Sequence, residues 1–117
     1  MDKFLIKGGK KLKGSIKVTP AKNAYLPILA GCILSEKPII LHDCPNYIDI
    51  INMNKILANL GGNIDFNEKN LIVDCSSLNS SSIPHDLASV LRSSIFSLGS
   101  ILGRFKHAKV AYPGGCE

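Results

Sequence analysis

The most chemically distinctive stretch of this chain is Pro113-Gly114-Gly115-Cys116, near the end of the sequence. Two consecutive glycines allow the backbone to adopt left-handed conformations and to approach a ligand closely. A thiol on such a loop, directly after a strand, is accessible and can serve as a nucleophile or as a proton donor. The plainer alternative is a terminal turn with an incidental cysteine, and spacing alone favours that alternative.

Lys22 and Asn23 form a second candidate site, a polar pair at the start of an apolar helical segment. A cation at a helix N-terminus is mildly unfavourable, because the helix dipole is positive there, unless an anion joins it. One interpretation of Lys22 is therefore an anion site. The other is a lysine whose stem packs while its amine reaches water, and the local pattern leaves both open.

The cysteines do not form a metal-binding pattern. The chain has four of them, at positions 32, 44, 75 and 116, and no Cys-x-x-Cys pair. A zinc ribbon or a thioredoxin-type site is therefore not predicted. We interpret Cys32, Cys44 and Cys75 as small apolar residues in a reducing compartment, and we expect neither a metal nor a cofactor.

The length and composition of the chain indicate one small globular domain. The chain has 117 residues, of which 45% are apolar and 20% charged, and this composition excludes a disordered tail, a collagen-like chain and a disulfide miniprotein. The net charge of +5 suits an anionic partner, whether phosphate ligand, nucleic acid or membrane surface, without selecting one. No apolar stretch reaches the ~18–20 residues of a membrane span, and we expect a cytoplasmic protein.

The segments that carry these candidate residues alternate between strand and helix patterns. We predict the order β-β-α-β-α-β-β-α-β, a mixed α/β fold without the glycine fingerprint of a Rossmann domain. The predicted strands are 4–6, 15–18, 38–41, 64–66, 71–73 and 109–112, and the predicted helices are about 21–34, 48–60 and 86–104. The first helix is apolar around most of its circumference, which predicts burial on nearly every side. Gly61-Gly62 is predicted to end the second helix, and 76–84 to be a loop.

Five stretches resemble the enolpyruvyl transferases in order and spacing, and together they cover the whole chain. They are Lys3-Phe4 with Gly8-Gly9 and Leu12-Lys13-Gly14; Ala21 to Ala30; Cys44-Pro45 with Asp49, Met53 and Leu60-Gly61; Asp86-Leu87 with Leu91 to Ile95 and Leu98-Gly99; and Tyr112 to Cys116. The Gly-Gly-Cys loop is closer to the members that act on UDP-N-acetylglucosamine than to the sister enzyme that acts on shikimate 3-phosphate.

The resemblance implies transfer of the enolpyruvyl group from phosphoenolpyruvate to the 3′-hydroxyl of UDP-N-acetylglucosamine, the first committed step of peptidoglycan synthesis. Carried over residue by residue, it implies that Lys22 and Asn23 contact phosphoenolpyruvate and that Arg92 serves the UDP-N-acetylglucosamine side. Cys116 would be the proton donor on a mobile loop, and the target of fosfomycin.

The resemblance also implies an architecture, an inside-out α/β barrel of repeated βαβαββ units in each of two domains. Residues 1–21 would form strands that pack with the second domain, and residues 22–117 the first part of the first domain. The chain would then be a truncated piece, inactive alone and dependent on the remainder of the enzyme. The alternative is a small basic nucleic-acid-binding or other anion-binding module, but the aromatic residues are scattered and no basic stripe extends beyond residues 7–17.

Overall fold

Helices and short strands alternate along the chain, whose structure, a computed structural model, describes residues 2–114. The helices are Lys22–Cys32 (α1), Ile48–Asn59 (α2), His85–Ala88 (α3) and Phe96–Phe105 (α4), with a 3-10 helix at Arg92–Ile95. The strands are Ile39–Leu41 (β1), Asn63–Asn67 (β2), Asn70–Asp74 (β3), Ser82–Ile83 (β4) and Lys109–Val110 (β5). The predicted mixed α/β class is confirmed.

A three-stranded antiparallel sheet, in the order β1-β3-β2, supports one side of the core. β2 and β3 form the hairpin that the sequence predicts around residues 67–70, with Asn67 opposite Asn70 and Glu68 in the left-handed region at φ 54°. Along β3, Leu71 and Val73 are fully buried while their neighbours are not. This alternation is typical of a strand with one face on the core.

The core lies between this sheet and the helices, because α1 packs against α2, α4 and β3. Its largest fully buried side chains come from every one of these elements: Leu29 and Ile33 near α1, Ile50, Met53, Ile56 and Leu57 on α2, Leu71 and Val73 on β3, and Ile101 on α4. Burying side chains of this size contributes roughly 1.5–3 kcal/mol each before the entropy cost of ordering them. The packing of α1 on α2 is therefore a stable part of the fold.

The predicted end of α2 at Gly61-Gly62 is confirmed. Gly61 has φ +103°, and a Cβ there would lie 2.7 Å from the side-chain oxygen of Asn79, so glycine is required. The amide of Gly62 donates to the carbonyl of Leu57 at 3.0 Å, and that of Gly61 to Ala58, also at 3.0 Å. These two bonds form a Schellman cap and leave the chain directed into β2.

The predicted strands at 4–6 and 15–18 are not formed in this structure. No strand or helix occurs in residues 2–20, and apolar side chains such as Phe4 and Ile16 are at least 90% exposed. A strand needs a neighbour for its amides and carbonyls. The described part of the chain offers these segments none.

The prediction of α1 as buried on nearly every side is also wrong for this chain. Leu26, Leu29 and Ala30 are buried, but Ile28 and Leu34 are 47% and 58% exposed. The elements that pack on α1 cover one side of it. The helix is therefore less buried than its apolar pattern predicts.

The predicted single helix over 86–104 is interrupted. α3 ends at Ala88, Leu91 is extended at φ −143° and ψ 106°, and a 3-10 turn leads into α4. The predicted loop 76–84 contains β4, which pairs in parallel with β5 through Ser82 opposite Lys109. Within the described residues, no helix is long and apolar enough to cross a bilayer.

Candidate functional site

Lys22 is the first residue of α1, at a helix start that has no side-chain cap. The preceding residue, Ala21, is extended at φ −81° and ψ 123°, and the first turn contains no acidic residue. The amides at the start of such a helix point outward and carry partial positive charge. Lys22 and the exposed Asn23 therefore lie where an anion would be favoured.

The amine of Lys22 forms an ion pair with the carboxylate of Asp49, in the first turn of α2. The side chains of Lys22 and Asp49 are 47% and 25% exposed, so the pair lies at the surface but is not fully solvated. Asp49 is not a functional residue that the sequence predicts. The two residues are 27 positions apart, and only the packing of α1 on α2 brings their helix starts together.

Tyr25, three residues after Lys22 and so on the same side of α1, makes a second contact with the segment before α2. Its hydroxyl donates to the backbone carbonyl of His42 at 2.5 Å. Partial burial, and to a lesser extent Cys44 and Asp43, raise the pKa of the Tyr25 hydroxyl, so it remains a donor at neutral pH.

The segment between β1 and α2 also forms hydrogen bonds with the turn between β2 and β3. The amide of Cys44 donates to the carbonyl of Lys69 at 2.8 Å, and His42 Nδ1 lies 3.1 Å from Asn70 Oδ1. The connection between β1 and α2 is thereby held both by α1 and by the β2–β3 turn. This places the N-terminus of α2, and Asp49 with it, relative to Lys22.

Arg92 lies on another element, as the first residue of the 3-10 helix, with its side chain exposed. The 3-10 helix packs against α2, so Lys22 and Arg92 belong to elements that share α2 as a neighbour. Lys22 and Asn23 are thus adjacent at the start of α1, whereas Arg92 lies on a different element. Cys116 lies outside the described residues, although the segment that leads to it, through Gly114, is described.

An open groove of about 440 Å³ lies beside this region, between residues 17–20 and residues 43–47. Lys17, Lys69 and Asp43 supply its charged groups. Neither Lys22, Asn23 nor Arg92 is among the described residues that line it. The groove is therefore not the site that the sequence predicts, and the candidate site remains the surface formed by the starts of α1 and α2.

The prediction that Cys32, Cys44 and Cys75 serve as small apolar residues is confirmed by their burial as free thiols. Burial raises the pKa of Cys32 to about 11, and it also raises the pKa values of Cys44 and Cys75. Thiols of this kind are poor nucleophiles at neutral pH. In the described part of the chain, no group of three or more His, Cys, Asp or Glu residues could hold a metal ion.

This arrangement of helices and strands is similar to part of the fold of an enolpyruvyl transferase. The crystal structure of the enolpyruvyl transferase NikO from Streptomyces tendae superposes with a TM-score of 0.70 over 83% of this chain and 23% of that one. The two sequences are 20% identical, so this likeness concerns the fold alone. The family model described as EPSP synthase (3-phosphoshikimate 1-carboxyvinyltransferase) matches residues 6–117, and the chain belongs to that family.

Similar proteins include several that are named UDP-N-acetylglucosamine 1-carboxyvinyltransferase. The UDP-N-acetylglucosamine 1-carboxyvinyltransferase 2 of Caldanaerobacter subterraneus is 42% identical over 117 residues, which is all of this chain and 28% of that protein. The UDP-N-acetylglucosamine 1-carboxyvinyltransferase of Hydrogenovibrio crunogenus is also 42% identical, over 99% of this chain and 28% of its own length. The chain thus spans under a third of these curated relatives, and the resemblance found in the sequence is confirmed.

Proposed function

We propose that this chain supplies one wall of the active site of an enolpyruvyl transferase. The reaction would move the enolpyruvyl group of phosphoenolpyruvate to the 3′-hydroxyl of UDP-N-acetylglucosamine and release phosphate. The observation that carries the proposal is the pair Lys22 and Asn23 at an uncapped helix start, in a chain 42% identical to transferases named for this sugar nucleotide. A role in peptidoglycan synthesis is part of the proposal.

The chemistry suits these residues. The sugar hydroxyl attacks C2 of phosphoenolpyruvate while C3 takes up a proton, and the tetrahedral intermediate then loses phosphate to form the enol ether. The Lys22 ammonium would offset phosphate charge, and Asn23 would donate from its amide. The planar fork of Arg92 matches the diphosphate of the nucleotide. A free thiol is protonated at neutral pH, so Cys116 would hold the proton that C3 needs.

In this proposal the described residues supply positive charge and donors from one side of a cleft. Preorganised electrostatic stabilisation requires the full set of donors to be held in place around the developing charge. We therefore propose that the 117-residue chain alone has no transferase activity, and that the residues completing the site belong to a further part of the enzyme.

The relatives favour UDP-N-acetylglucosamine as the acceptor, whereas the description of the family names shikimate 3-phosphate. No observation favours the nucleic-acid-binding alternative. The choice between acceptors rests on the Gly115-Cys116 sequence and on the relatives' names, and fosfomycin sensitivity through Cys116 belongs to the same proposal.

The test is a chimera in which this chain replaces the aligned 28% of the Caldanaerobacter relative. Phosphate release is measured with phosphoenolpyruvate and either UDP-N-acetylglucosamine or shikimate 3-phosphate, beside the 117-residue chain alone. Turnover that requires UDP-N-acetylglucosamine, with none from the chain alone, supports the proposal. A folded chimera that is inactive, or that uses shikimate 3-phosphate instead, contradicts it.

A further inference from the structure

We infer that Asp49 is a positioning residue for Lys22, and that it holds the amine at the start of α1, where the phosphate group of phosphoenolpyruvate would bind. This inference rests on the proposed function. The ion pair between the two side chains joins the first residue of α1 to the first turn of α2. Asp49 touches Lys22 and is assigned no contact with substrate.

The electrostatics of the two helix starts differ in sign. An acidic side chain in the first turn of a helix is stabilised by the dipole, so Asp49 is well placed as an anion on α2. Lys22 lies at the positive end of the α1 dipole, so its positive charge is destabilising there unless a negative charge lies nearby. Asp49 supplies that counter-charge from a neighbouring helix, so the amine is held at the helix start before any substrate anion arrives.

The carboxylate is held by the fold more firmly than the amine is. Aspartate has a short side chain, and Ile50 and Met53 on the same helix are fully buried, which fixes the backbone of α2 near Asp49. The hydrogen bond from the Tyr25 hydroxyl to the carbonyl of His42 also ties α1 to the segment that leads into α2. Lysine has a long, flexible stem, and its side chain here is 47% exposed. The ion pair therefore restricts the lysine more than the aspartate.

An ammonium group has three donors, so one bond to Asp49 leaves two for a phosphate. The carboxylate also repels that phosphate. Asp49→Asn removes the carboxylate charge and keeps the shape of the side chain, so it should affect substrate binding and turnover differently. Phosphoenolpyruvate should bind at least as well to the ground state, and turnover should fall because the amine is no longer held where the leaving phosphate needs it.

The experiment is a double-mutant cycle in the active chimera, with Asp49→Asn, Lys22→Ala and the two combined. We expect Lys22→Ala to lower kcat/KM more than ~100-fold, and Asp49→Asn to lower kcat about tenfold or more without raising the KM for phosphoenolpyruvate. In the Lys22→Ala background, Asp49→Asn should change kcat less than about twofold, because its partner is gone. Asp49→Glu should recover part of the loss.

A matched control is Asp65→Asn, which removes the same charge from an exposed position on β2 and leaves the pair intact. It should not alter kcat. Equal effects of Asp49→Asn with and without Lys22, or a change in kcat below about threefold, overturn the inference. A Lys22→Ala chimera of normal activity overturns the role proposed for Lys22 and this inference together, whereas an active, Lys22-dependent chimera indifferent to Asp49 overturns this inference alone.

A second measurement does not depend on the chimera. In the isolated chain, NMR relaxation of the Lys22 Cε group reports how far the amine is restrained. Asp49→Asn should lower its order parameter, and Asp65→Asn should not. An order parameter that is the same in all three proteins would show that the carboxylate does not hold the amine, and would overturn the inference.

Discussion

The backbone amide of Gly114 donates a hydrogen bond to the carbonyl of Ala88, over 3.1 Å. In a continuous α-helix, that carbonyl would accept from the amide of Arg92, four residues on. Here it also accepts a 3.3 Å bond from Leu91, so the helix ends and a 3-10 turn begins at Arg92. One tertiary contact therefore sets both the position of Arg92 and the entry to the segment that carries Cys116.

Gly114→Ala should break this contact. A Cβ at position 114 would lie 1.8 Å from the backbone oxygen of Ser89, which cannot move aside as a side chain would. We expect a loss of roughly 1–2 kcal/mol in the free energy of unfolding and faster hydrogen exchange of the amide at 114. Urea denaturation and exchange measured on the 117-residue chain test both.

The control is Gly99→Ala, in the middle of α4, where a Cβ would meet nothing within 4 Å. Alanine is the better helix former by roughly 0.5–1 kcal/mol, so this variant should be more stable than the parent. Opposite signs for the two Gly→Ala changes are the expected result. A Gly114→Ala variant at least as stable as the parent would show that the contact with Ser89 does not constrain the chain.

Arg104→Met should destabilise the fold more than a substitution that removes the charge of an exposed residue. The guanidinium of Arg104 donates to the carbonyl oxygens of Ile33 at 2.8 Å and Ser35 at 3.1 Å, beyond the end of α1, and to Ser76 at 3.3 Å. Hydrogen bonds from a charged group contribute about 1.5–3 kcal/mol, and their loss leaves partly buried carbonyls without a donor. We expect a loss of about 2–3 kcal/mol by urea denaturation.

The matched control for Arg104 is Lys37→Met, which removes a positive charge from an exposed position. It should change stability by less than about 0.5 kcal/mol. Arg104→Lys should lie between the parent and Arg104→Met, because an ammonium is a point donor and cannot reproduce the fork. Similar losses for Arg104→Met and Lys37→Met would contradict the structural role.

Three parts of the fold were predictable from local signals in the sequence. The α1 and α2 segments follow from helical periodicity, the end of α2 from Gly61-Gly62, and the β2–β3 hairpin from two apolar runs around a polar turn. Each of these features depends on residues close together in the chain. The structure reproduces them within a few residues.

The remaining features depend on contacts between distant segments. The carbonyl of Ala88, where α3 ends, accepts the amide of Gly114, and the two-residue strand β4 is defined by its pairing with β5. The pairing of Lys22 with Asp49 requires two helices to pack. Composition and periodicity do not encode such contacts, so Lys22 was predictable as a candidate and Asp49 was not.

Alkaline pH should destabilise the fold through its buried thiols. Burial raises the pKa of Cys32 from 9.0 to about 11, so between those values the folded chain retains a proton that the unfolded chain has lost. The stabilisation is complete below pH 9 and is lost as the pH rises to about 11, because the unfolded state then binds fewer protons. Cys32 alone would account for about 2–3 kcal/mol of this loss.

The comparison for the thiol prediction is Cys32→Ala. This variant should be less stable at pH 7, since it leaves a small cavity, and should lose less stability between pH 9 and 11. Chemical denaturation at a series of pH values gives both free energies. Parallel curves for the parent and Cys32→Ala would show that this thiol does not set the alkaline limit.

Cys116 can be tested as a proton donor by exchanging the acid it carries. A carboxylic acid kept protonated by partial burial can replace a thiol as donor, whereas a serine hydroxyl is too weak an acid. In the active chimera, Cys116→Asp should therefore retain measurable turnover with a pH optimum shifted to the acid side, and Cys116→Ser should lose nearly all of it. Both should resist covalent modification by fosfomycin, because only a thiolate is a good nucleophile. Initial rates against pH and intact mass after fosfomycin treatment measure these effects, and an active serine variant beside an inactive aspartate variant would leave Cys116 without the proton-donor role.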